Sequence, residues 1–332
     1  MLTKVLKSNN ETDRKFQSIL NELIPKANEF YTLSGHPAFA NDYKMVVPFN
    51  LVNFKNAALV GTAFDYLARL MIARIVKSNQ KEFLNNLKAT DGYEVMERFY
   101  KEDALIPLDK LQIVYEKGMS LFELYIAGEE DINKMIPVAC FFAKLENVYR
   151  SGRKLANEEK KRFFSKQPED VIRELADMCS VFQDKFLIPK VISSESEVIY
   201  NPNCGVASLM VNGADADIII DGVLYDFKTT KKSGYAWDEV AQLIGYYCLN
   251  NISSRFAEIG MPFPYKDLNI KKVAFYKARY GEVEYYDISQ VEREKVEKIT
   301  EDLIWHFKDN PSLKMKMNID FFWNFEDYSM YI

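Results

Sequence analysis

Histidine and cysteine are scarce in this 332-residue chain, and their spacing excludes several kinds of site. Only two histidines are present, His36 and His306, which argues against a histidine-activated nucleophile and against histidine-rich metal centres. The four cysteines lie far apart and form no C-x-x-C pair, which disfavours zinc and iron–sulfur ligation. We expect buried free thiols at Cys140, Cys179, Cys204 and Cys248.

Long apolar runs are also lacking. None approaches the roughly 18 residues that a membrane-spanning helix needs, and the first residues, MLTKVLKSNNETDRKF, contain no apolar signal region. We therefore expect a cytoplasmic protein without a membrane partner. An excess of positive charge is missing as well, since the formal net charge is −5 and nucleic-acid-binding domains are often basic. Any contact with nucleic acid must depend on local charge.

The patterns that are present divide the chain into two regions. Residues 1–166 carry apolar positions at helical spacing and predict a mainly helical region that packs on the rest. Residues 167–332 predict a helix, three strands, a helix, two strands and a last helix, which a capping box of Ser289 and Glu292 is expected to open. The predicted fold class is therefore mixed α/β, of the α+β kind, with a mixed central sheet flanked by helices.

A hairpin is predicted within GADADIIIDGVLYDFKTTKK, which runs from residue 213 to residue 232. The dipeptide Asp221-Gly222 separates two β-rich runs there and is a strong signal for a two-residue turn. Continuing the ladder away from that turn sets Asp217 opposite Asp226. The next pair on the same face sets Asp215 opposite Lys228. One end of an otherwise apolar hairpin is thus predicted to be charged.

The two facing aspartates need compensation, because their Cβ atoms are expected roughly 5 Å apart and like charges at that spacing destabilise a sheet. Mg²⁺ or Mn²⁺ would supply it, since Mg²⁺ favours a few carboxylates together with waters and phosphate oxygens. Lys228, on the same face as Asp226, is suited to stabilise a transition-state oxygen. These groups together suit attack of water on a phosphodiester. The alternative is a surface ion pair of Asp226 with Lys228 or Lys231.

This stretch resembles the core motif of the PD-(D/E)XK nuclease superfamily, in its RecB-like and Cas4-like branch. Asp217 stands at the first acid of that motif, Asp226 at the second and Lys228 at the lysine. The resemblance covers about residues 168–307 and implies a core of helix, three strands, helix and strand. The four-cysteine cluster of Cas4-type proteins is missing, so an iron–sulfur version is not supported. Phage defence, repair and mobile-element maintenance all stay open as settings.

Further elements of the same branch have counterparts here. The branch carries Q-x-x-x-Y on the following helix, where Gln242 and Tyr246 match. The resemblance implies that their shared helical face borders the site, whereas the alternative is a solvent-facing polar stripe. Upstream, Gly61 and Asp65 resemble a G-x-x-x-H element with aspartate in place of histidine, which makes Asp65 either a metal ligand or a surface residue. Glu174, before the first core strand, is the rival third carboxylate.

Candidate substrate contacts follow the D-x-K lysine, where hydroxyl and ammonium groups are suited to phosphate oxygens. They are Thr229, Thr230, Lys231 and Lys232. Arg279, in KARYG, is suited to clamp nucleic acid. The alternatives are a solvated basic loop and a plain hairpin edge.

Three functions are compatible with these patterns, the third being metal-assisted hydrolysis of small phosphate esters. The first is a divalent-metal-dependent nuclease, with DNA as the expected substrate and with a protein partner or a second copy of the chain as a further contact. The alternative is a catalytically inactive nucleic-acid-binding or protein-interaction module with the same fold. The joint presence of D, D-x-K and Q-x-x-x-Y favours the nuclease, because an inactive module would be free to lose any one of them.

Overall fold

The computed structural model describes residues 1–76, 80–258 and 265–308, so the last part of the predicted C-terminal region lies outside the described residues. The helices are α1 (Leu2–Lys7), α2 (Glu11–Asn21), α3 (Ala57–Ile75), α4 (Gln80–Asn85), α5 (Lys88–Phe99), α6 (Leu108–Ile126), α7 (Ile132–Ser151), α8 (Asn157–Arg162), α9 (Glu169–Lys185), α10 (Ala207–Met210), α11 (Trp237–Glu258) and α12 (Arg293–Lys308). The strands are β1 (Tyr31–Thr32), β2 (Val198–Tyr200), β3 (Ile218–Ile220), β4 (Val223–Lys228), β5 (Lys272–Lys277) and β6 (Glu282–Asp287).

The described strands form one six-stranded mixed sheet in the order β1-β6-β5-β4-β3-β2. β4 and β5 run parallel, and every other neighbouring pair is antiparallel. The mixed α/β class is therefore confirmed. The chain order from α9 onward also follows the predicted succession of helix, three strands, helix, two strands and helix, with the short α10 between β2 and β3. Strand β1 was not predicted, because two residues are too few to show alternation.

The hairpin between β3 and β4 has the predicted turn. Asp221 and Gly222 both have positive φ angles, 49° and 79°, as a type I′ turn requires. The register pairs Ile218 with Tyr225. The Asp221 carboxylate also accepts a hydrogen bond from the backbone N–H of Glu197, at 2.8 Å, just before β2. The predicted register is thus confirmed as far as Ile218.

Helices cover both faces of the sheet. One core lies between the sheet and the group α3, α5, α6, α7 and α9, and it includes Ile218, Ile220 and Tyr276. The other lies between the sheet and the group α1, α2, α11 and α12, and it includes Ile219 and Leu224. Because alternate residues of β3 and β4 enter different cores, these strands are buried on both sides. Polar side chains at their ends are therefore placed next to apolar layers.

Three smaller predictions have clear outcomes. All four cysteines are buried and free, as expected. The predicted start of the last helix at Ser289 is wrong: the Ser289 hydroxyl donates to the Asp287 carboxylate at 2.5 Å, and the α-helix begins only at Arg293. Within the described ranges, no helix combines the length and the hydropathy that crossing a bilayer would require.

Candidate active site

A cavity of about 550 Å³ lies where the segment preceding β3 diverges from β4. Residues of α1, α3, α7 and α11 line it together with the segment before β3 and with β4. Five of the residues predicted for the site or for metal binding contribute to its wall. They are Asp65, Asp217, Asp226, Gln242 and Tyr246. Residues distant in sequence, from both predicted regions of the chain, therefore meet around one space.

The Asp217 side chain ends the pairing between β3 and β4. In an antiparallel ladder whose register is set by Ile218 and Tyr225, the Phe227 N–H would bond to the carbonyl of residue 216. Instead, the Asp217 Oδ2 atom accepts that hydrogen bond at 2.9 Å. The strand diverges from β4 at this point, and its next bridge joins Asp215 to Asn203. Asp217 is thus fixed beside β4 while the cavity opens behind it.

The predicted pairing of Asp215 with Lys228 is wrong for the same reason. Once the strand has diverged, Asp215 lies 4.0 Å from the Lys88 Nζ atom. Lys228 is instead paired in register with Lys277 of β5. Regular alternation therefore predicts the pairing in this hairpin only up to Asp217, whose side chain takes the place of a backbone carbonyl as hydrogen-bond acceptor.

Asp226 and Lys228 form a close ion pair, with 2.7 Å between Oδ2 and Nζ. Lys228 does not line the cavity, but its charge lies directly behind Asp226. Burial lowers the pKa of Lys228, but Asp226 and then Glu239 outweigh that effect and raise it above its usual value. The lysine is therefore a protonated point charge at neutral pH. The predicted ion pair exists, but Asp226 is only 6% exposed, so it is not a surface pair.

Three aspartates at the cavity hold protons more tightly than free aspartates. Burial, and then repulsion from Asp226, raise the pKa of Asp217 to about 6. Burial also raises the pKa of Asp226. The pKa of Asp65 is raised well above its usual value by burial, although Arg69 opposes that shift, and Asp217 raises it further. Three acids thus share a space where their negative charges are costly.

Asp65 reaches the cavity because α3 passes close to the end of β4. A Cβ atom on Gly61 would lie 3.3 Å from the Thr229 Oγ1 atom, so a glycine at this point permits the close approach. One turn later, the Asp65 Oδ2 atom pairs with Arg69. Its buried Oδ1 atom has no hydrogen-bond partner among the described residues. A buried carboxylate oxygen without a partner is costly, so this atom is suited to bind a cation.

Gln242 and Tyr246 form a relay to the backbone of the diverging strand. The Gln242 amide donates to the Tyr246 hydroxyl at 2.8 Å, and that hydroxyl donates to the Asp215 carbonyl at 2.9 Å. Tyr246 is buried, at 5% exposure, because α11 lies between the sheet and the outer helices. The alternative of a solvent-facing polar stripe is therefore wrong for Tyr246. The pair therefore fixes the backbone at Asp215, two residues before Asp217.

Glu174 and Arg279 are not part of this site, contrary to both predictions. The two side chains form a buried ion pair, and Arg279 is only 1% exposed. The second oxygen of Glu174 accepts from the Asn50 N–H, which leaves this carboxylate occupied. Arg279 also donates from Nε to the Thr229 carbonyl at 2.6 Å. It therefore holds the end of β4 in place and is not exposed to nucleic acid.

The residues after Lys228 lead away from the cavity. Thr229 and Thr230 are half-buried, whereas Lys231 and Lys232 are exposed. The Lys231 Nζ atom lies 5.6 Å from the centre of the Phe49 ring. The two lysines are therefore accessible to a phosphate, whereas the Thr229 side chain packs against Gly61.

The structure adds charged residues that the sequence did not single out. Arg69 is buried and contacts both Asp65 and the Asn201 side chain. Glu146, on α7, lines the cavity and accepts hydrogen bonds from Tyr66 at 2.6 Å and from Arg150 at 2.5 Å. Helical periodicity marks these positions only as parts of amphipathic helices. The sequence feature that could have identified these residues is a charge within an otherwise apolar stretch.

The donor set fits a divalent cation. Among the described residues, no three His, Cys, Asp or Glu side chains are already arranged to hold a metal ion. Mg²⁺, however, is commonly bound through one or two carboxylates, with waters and substrate oxygens completing its shell. Asp217 and Asp226 supply those carboxylates, and the unpartnered Oδ1 atom of Asp65 is a third oxygen at the same cavity.

Comparisons with models of protein families, with curated proteins and with solved structures found no match for this chain. The inference of function therefore depends on the residues and on their arrangement.

Proposed function

We propose that this protein is a divalent-metal-dependent nuclease of the PD-(D/E)XK type, which hydrolyses phosphodiester bonds, with DNA as its expected substrate. One observation carries the proposal: half-buried Asp65 and Asp217 and buried Asp226 surround one cavity, with protonated Lys228 directly behind Asp226. Like charges of this kind are seldom buried together without a cation or a chemical role.

Asp217 and Asp226 would hold the cation, with Asp65 as the third candidate ligand. When bound, the cation supplies positive charge that favours attack of water on a phosphodiester. The Phe227 N–H holds Asp217 through Oδ2, so the carboxylate is oriented before substrate enters. Asp65 is oriented by Arg69 in the same way. This preorganisation lowers the cost of assembling the site during reaction.

Lys228 serves as the electrostatic stabiliser. Its ammonium group stays protonated because Asp226 raises its pKa against the effect of burial. A fixed positive charge next to Asp226 favours negative charge that develops on a phosphate oxygen during hydrolysis. An ammonium group is a compact point charge, so it does this without the bidentate geometry that an arginine imposes.

Gln242 and Tyr246 act as positioning residues in this proposal. Their relay ends on the Asp215 carbonyl, two residues before Asp217. Both side chains also line the cavity, so they limit the space available to substrate. We therefore expect their loss to weaken catalysis through the position of Asp217.

The test is cleavage of linear duplex, circular duplex and single-stranded DNA, and of RNA, with and without Mg²⁺ or Mn²⁺. Wild type is compared with Asp217→Asn and Lys228→Ala, and the matched control is Lys117→Ala, which removes an exposed lysine of α6 that does not line the cavity. We expect cleavage that requires the metal. Both site variants should cleave more slowly by a factor of about a hundred or more, and the control should cleave at the wild-type rate.

Two results would reject the proposal. One is cleavage by wild type and both site variants at the same rate, because the activity would then not depend on these residues. The other is the absence of cleavage of every substrate with either metal, which would favour an inactive module with the same fold.

A further inference from the structure

The wall of the cavity formed by α7 carries an exposed aromatic ring next to positive charge. Tyr149 lines the cavity, is 43% exposed, and belongs to the few large apolar side chains left open to solvent. Arg150, the next residue, also lines the cavity. Lys88 at the start of α5 places its Nζ atom 5.9 Å from the centre of the Tyr149 ring. The Tyr149 ring and Arg150 therefore lie together in the wall of the cavity that contains the three acids, and the second cation, Lys88, lies next to the ring.

Both cations have spare hydrogen-bonding capacity. Arg150 donates from Nε to Glu146, and no described residue accepts from its terminal nitrogens. Lys88 lies 3.5 Å from Asp91 and 4.0 Å from Asp215, which are long contacts for ion pairs. The Arg150 side chain remains 33% exposed and that of Lys88 25% exposed. A phosphate oxygen can therefore bind either cation without breaking a close ion pair.

We propose that Tyr149, Arg150 and Lys88 form a nucleotide-binding subsite in which the Tyr149 ring stacks on an unpaired base while the two cations contact the neighbouring phosphates. This inference rests on the proposed nuclease function and adds to it the residues that hold the substrate strand. A cavity of about 550 Å³ is of the size that accepts one small ligand. The base next to the reacting phosphate must therefore leave its stack to enter, and an aromatic ring replaces the lost stacking.

Binding without cleavage provides the test. A fluorescently labelled single-stranded DNA oligonucleotide is titrated with protein in EDTA, and anisotropy reports the dissociation constant. We expect Tyr149→Ala to weaken binding about tenfold or more, because stacking on one aromatic ring contributes strongly to single-strand affinity. Tyr149→Phe keeps the ring and is expected to bind within about twofold of wild type. Because Tyr149 is exposed, neither change removes core packing.

The matched control is Phe99→Ala. Phe99 is 57% exposed and has the Arg98 guanidinium 5.5 Å from its ring centre, but it does not line the cavity. We expect wild-type affinity for this variant. A second readout uses salt: Lys88→Gln and Arg150→Gln should each lower the slope of log affinity against log salt by about 0.7, as expected for one lost phosphate contact on a single strand.

The possible results distinguish failure of the subsite proposal from failure of the nuclease proposal. If wild type binds and cleaves DNA but Tyr149→Ala binds equally well, the subsite is wrong and the nuclease stands. If Tyr149→Ala and Phe99→Ala weaken binding equally, the effect is not specific to the cavity and the subsite is again wrong. Wild type that neither binds nor cleaves nucleic acid would overturn both proposals.

Discussion

Replacing Asp217 with asparagine removes one negative charge from the three aspartates at the cavity. It keeps the size of the side chain and an oxygen that can accept a hydrogen bond from the Phe227 N–H. The native pKa of Asp217 is raised to about 6, against 3.8 for a free aspartate. The native state therefore binds a proton more tightly than the unfolded chain. Stability that is fully present below pH 3.8 is lost as the pH rises to about 6.

The magnitude follows from that difference. A shift of about two pKa units at about 1.4 kcal/mol each amounts to about 3 kcal/mol, fully lost above about pH 7. About half of it, ~1.4 kcal/mol, is lost between about pH 5 and about pH 8. Asparagine does not titrate, so Asp217→Asn should gain that amount relative to wild type over the same interval. Relief of the repulsion on Asp226 and Asp65 adds to the gain.

The assay is urea unfolding of wild type and variant in EDTA at about pH 5 and about pH 8. The quantity of interest is how the difference in unfolding free energy changes with pH, so a constant effect of the substitution cancels. The control is Asp184→Asn, which changes an exposed aspartate on α9. The difference in unfolding free energy between this variant and wild type should be the same at both pH values. A difference between Asp217→Asn and wild type that is the same at both pH values would refute the reasoning, as would a larger deficit at the higher pH.

Three further predictions concern activity and packing. Metal-dependent cleavage should rise about tenfold per pH unit below about pH 6 and level off above it, because protonated Asp217 cannot bind a cation; a flat initial-rate profile across that range would contradict this role. Glu174→Gln should lower the free energy of unfolding by about 3 kcal/mol in urea, because Arg279 stays buried without a countercharge; a loss below about 0.5 kcal/mol would be typical of a surface pair instead. Gly61→Ala should be nearly neutral alone but stabilising by about 1 kcal/mol in a Thr229→Ala background, since the contact at 3.3 Å is then absent; a double-mutant cycle without coupling would exclude that contact.

The hairpin could be predicted from sequence because local chemistry determines it. Asp221-Gly222 fixes the turn, and the two-residue turn fixes the register from Ile220 and Val223 to Ile218 and Tyr225. The prediction failed at Asp215, where the Asp217 carboxylate takes the hydrogen bond that a regular ladder gives to a carbonyl. Such a replacement depends on a single side-chain rotamer, which no pattern of residue types encodes.

The rest of the site depends on packing between distant segments. Helical spacing alone does not show that Glu146 faces the cavity, because that depends on how α7 packs against α3. Arg279 was expected to clamp nucleic acid or to lie at a plain hairpin edge. Its burial requires a countercharge on α9, and the sequence offers no means of pairing it with Glu174 in advance. Asp65, by contrast, was found through the resemblance of its motif and not through periodicity.

Residues from both sides of position 166 line the cavity. Truncating the chain at that position, or moving one part to another protein, therefore removes part of the wall. A fragment beginning at residue 167 would retain Asp217, Asp226 and Lys228, and so would still score as a match to the motif. It would nevertheless lack α3 and α7, and with them Asp65 and the wall around Glu146. Grafting the motif alone onto another scaffold would therefore transplant the two aspartates and the lysine without the enclosure that raises the pKa of those acids.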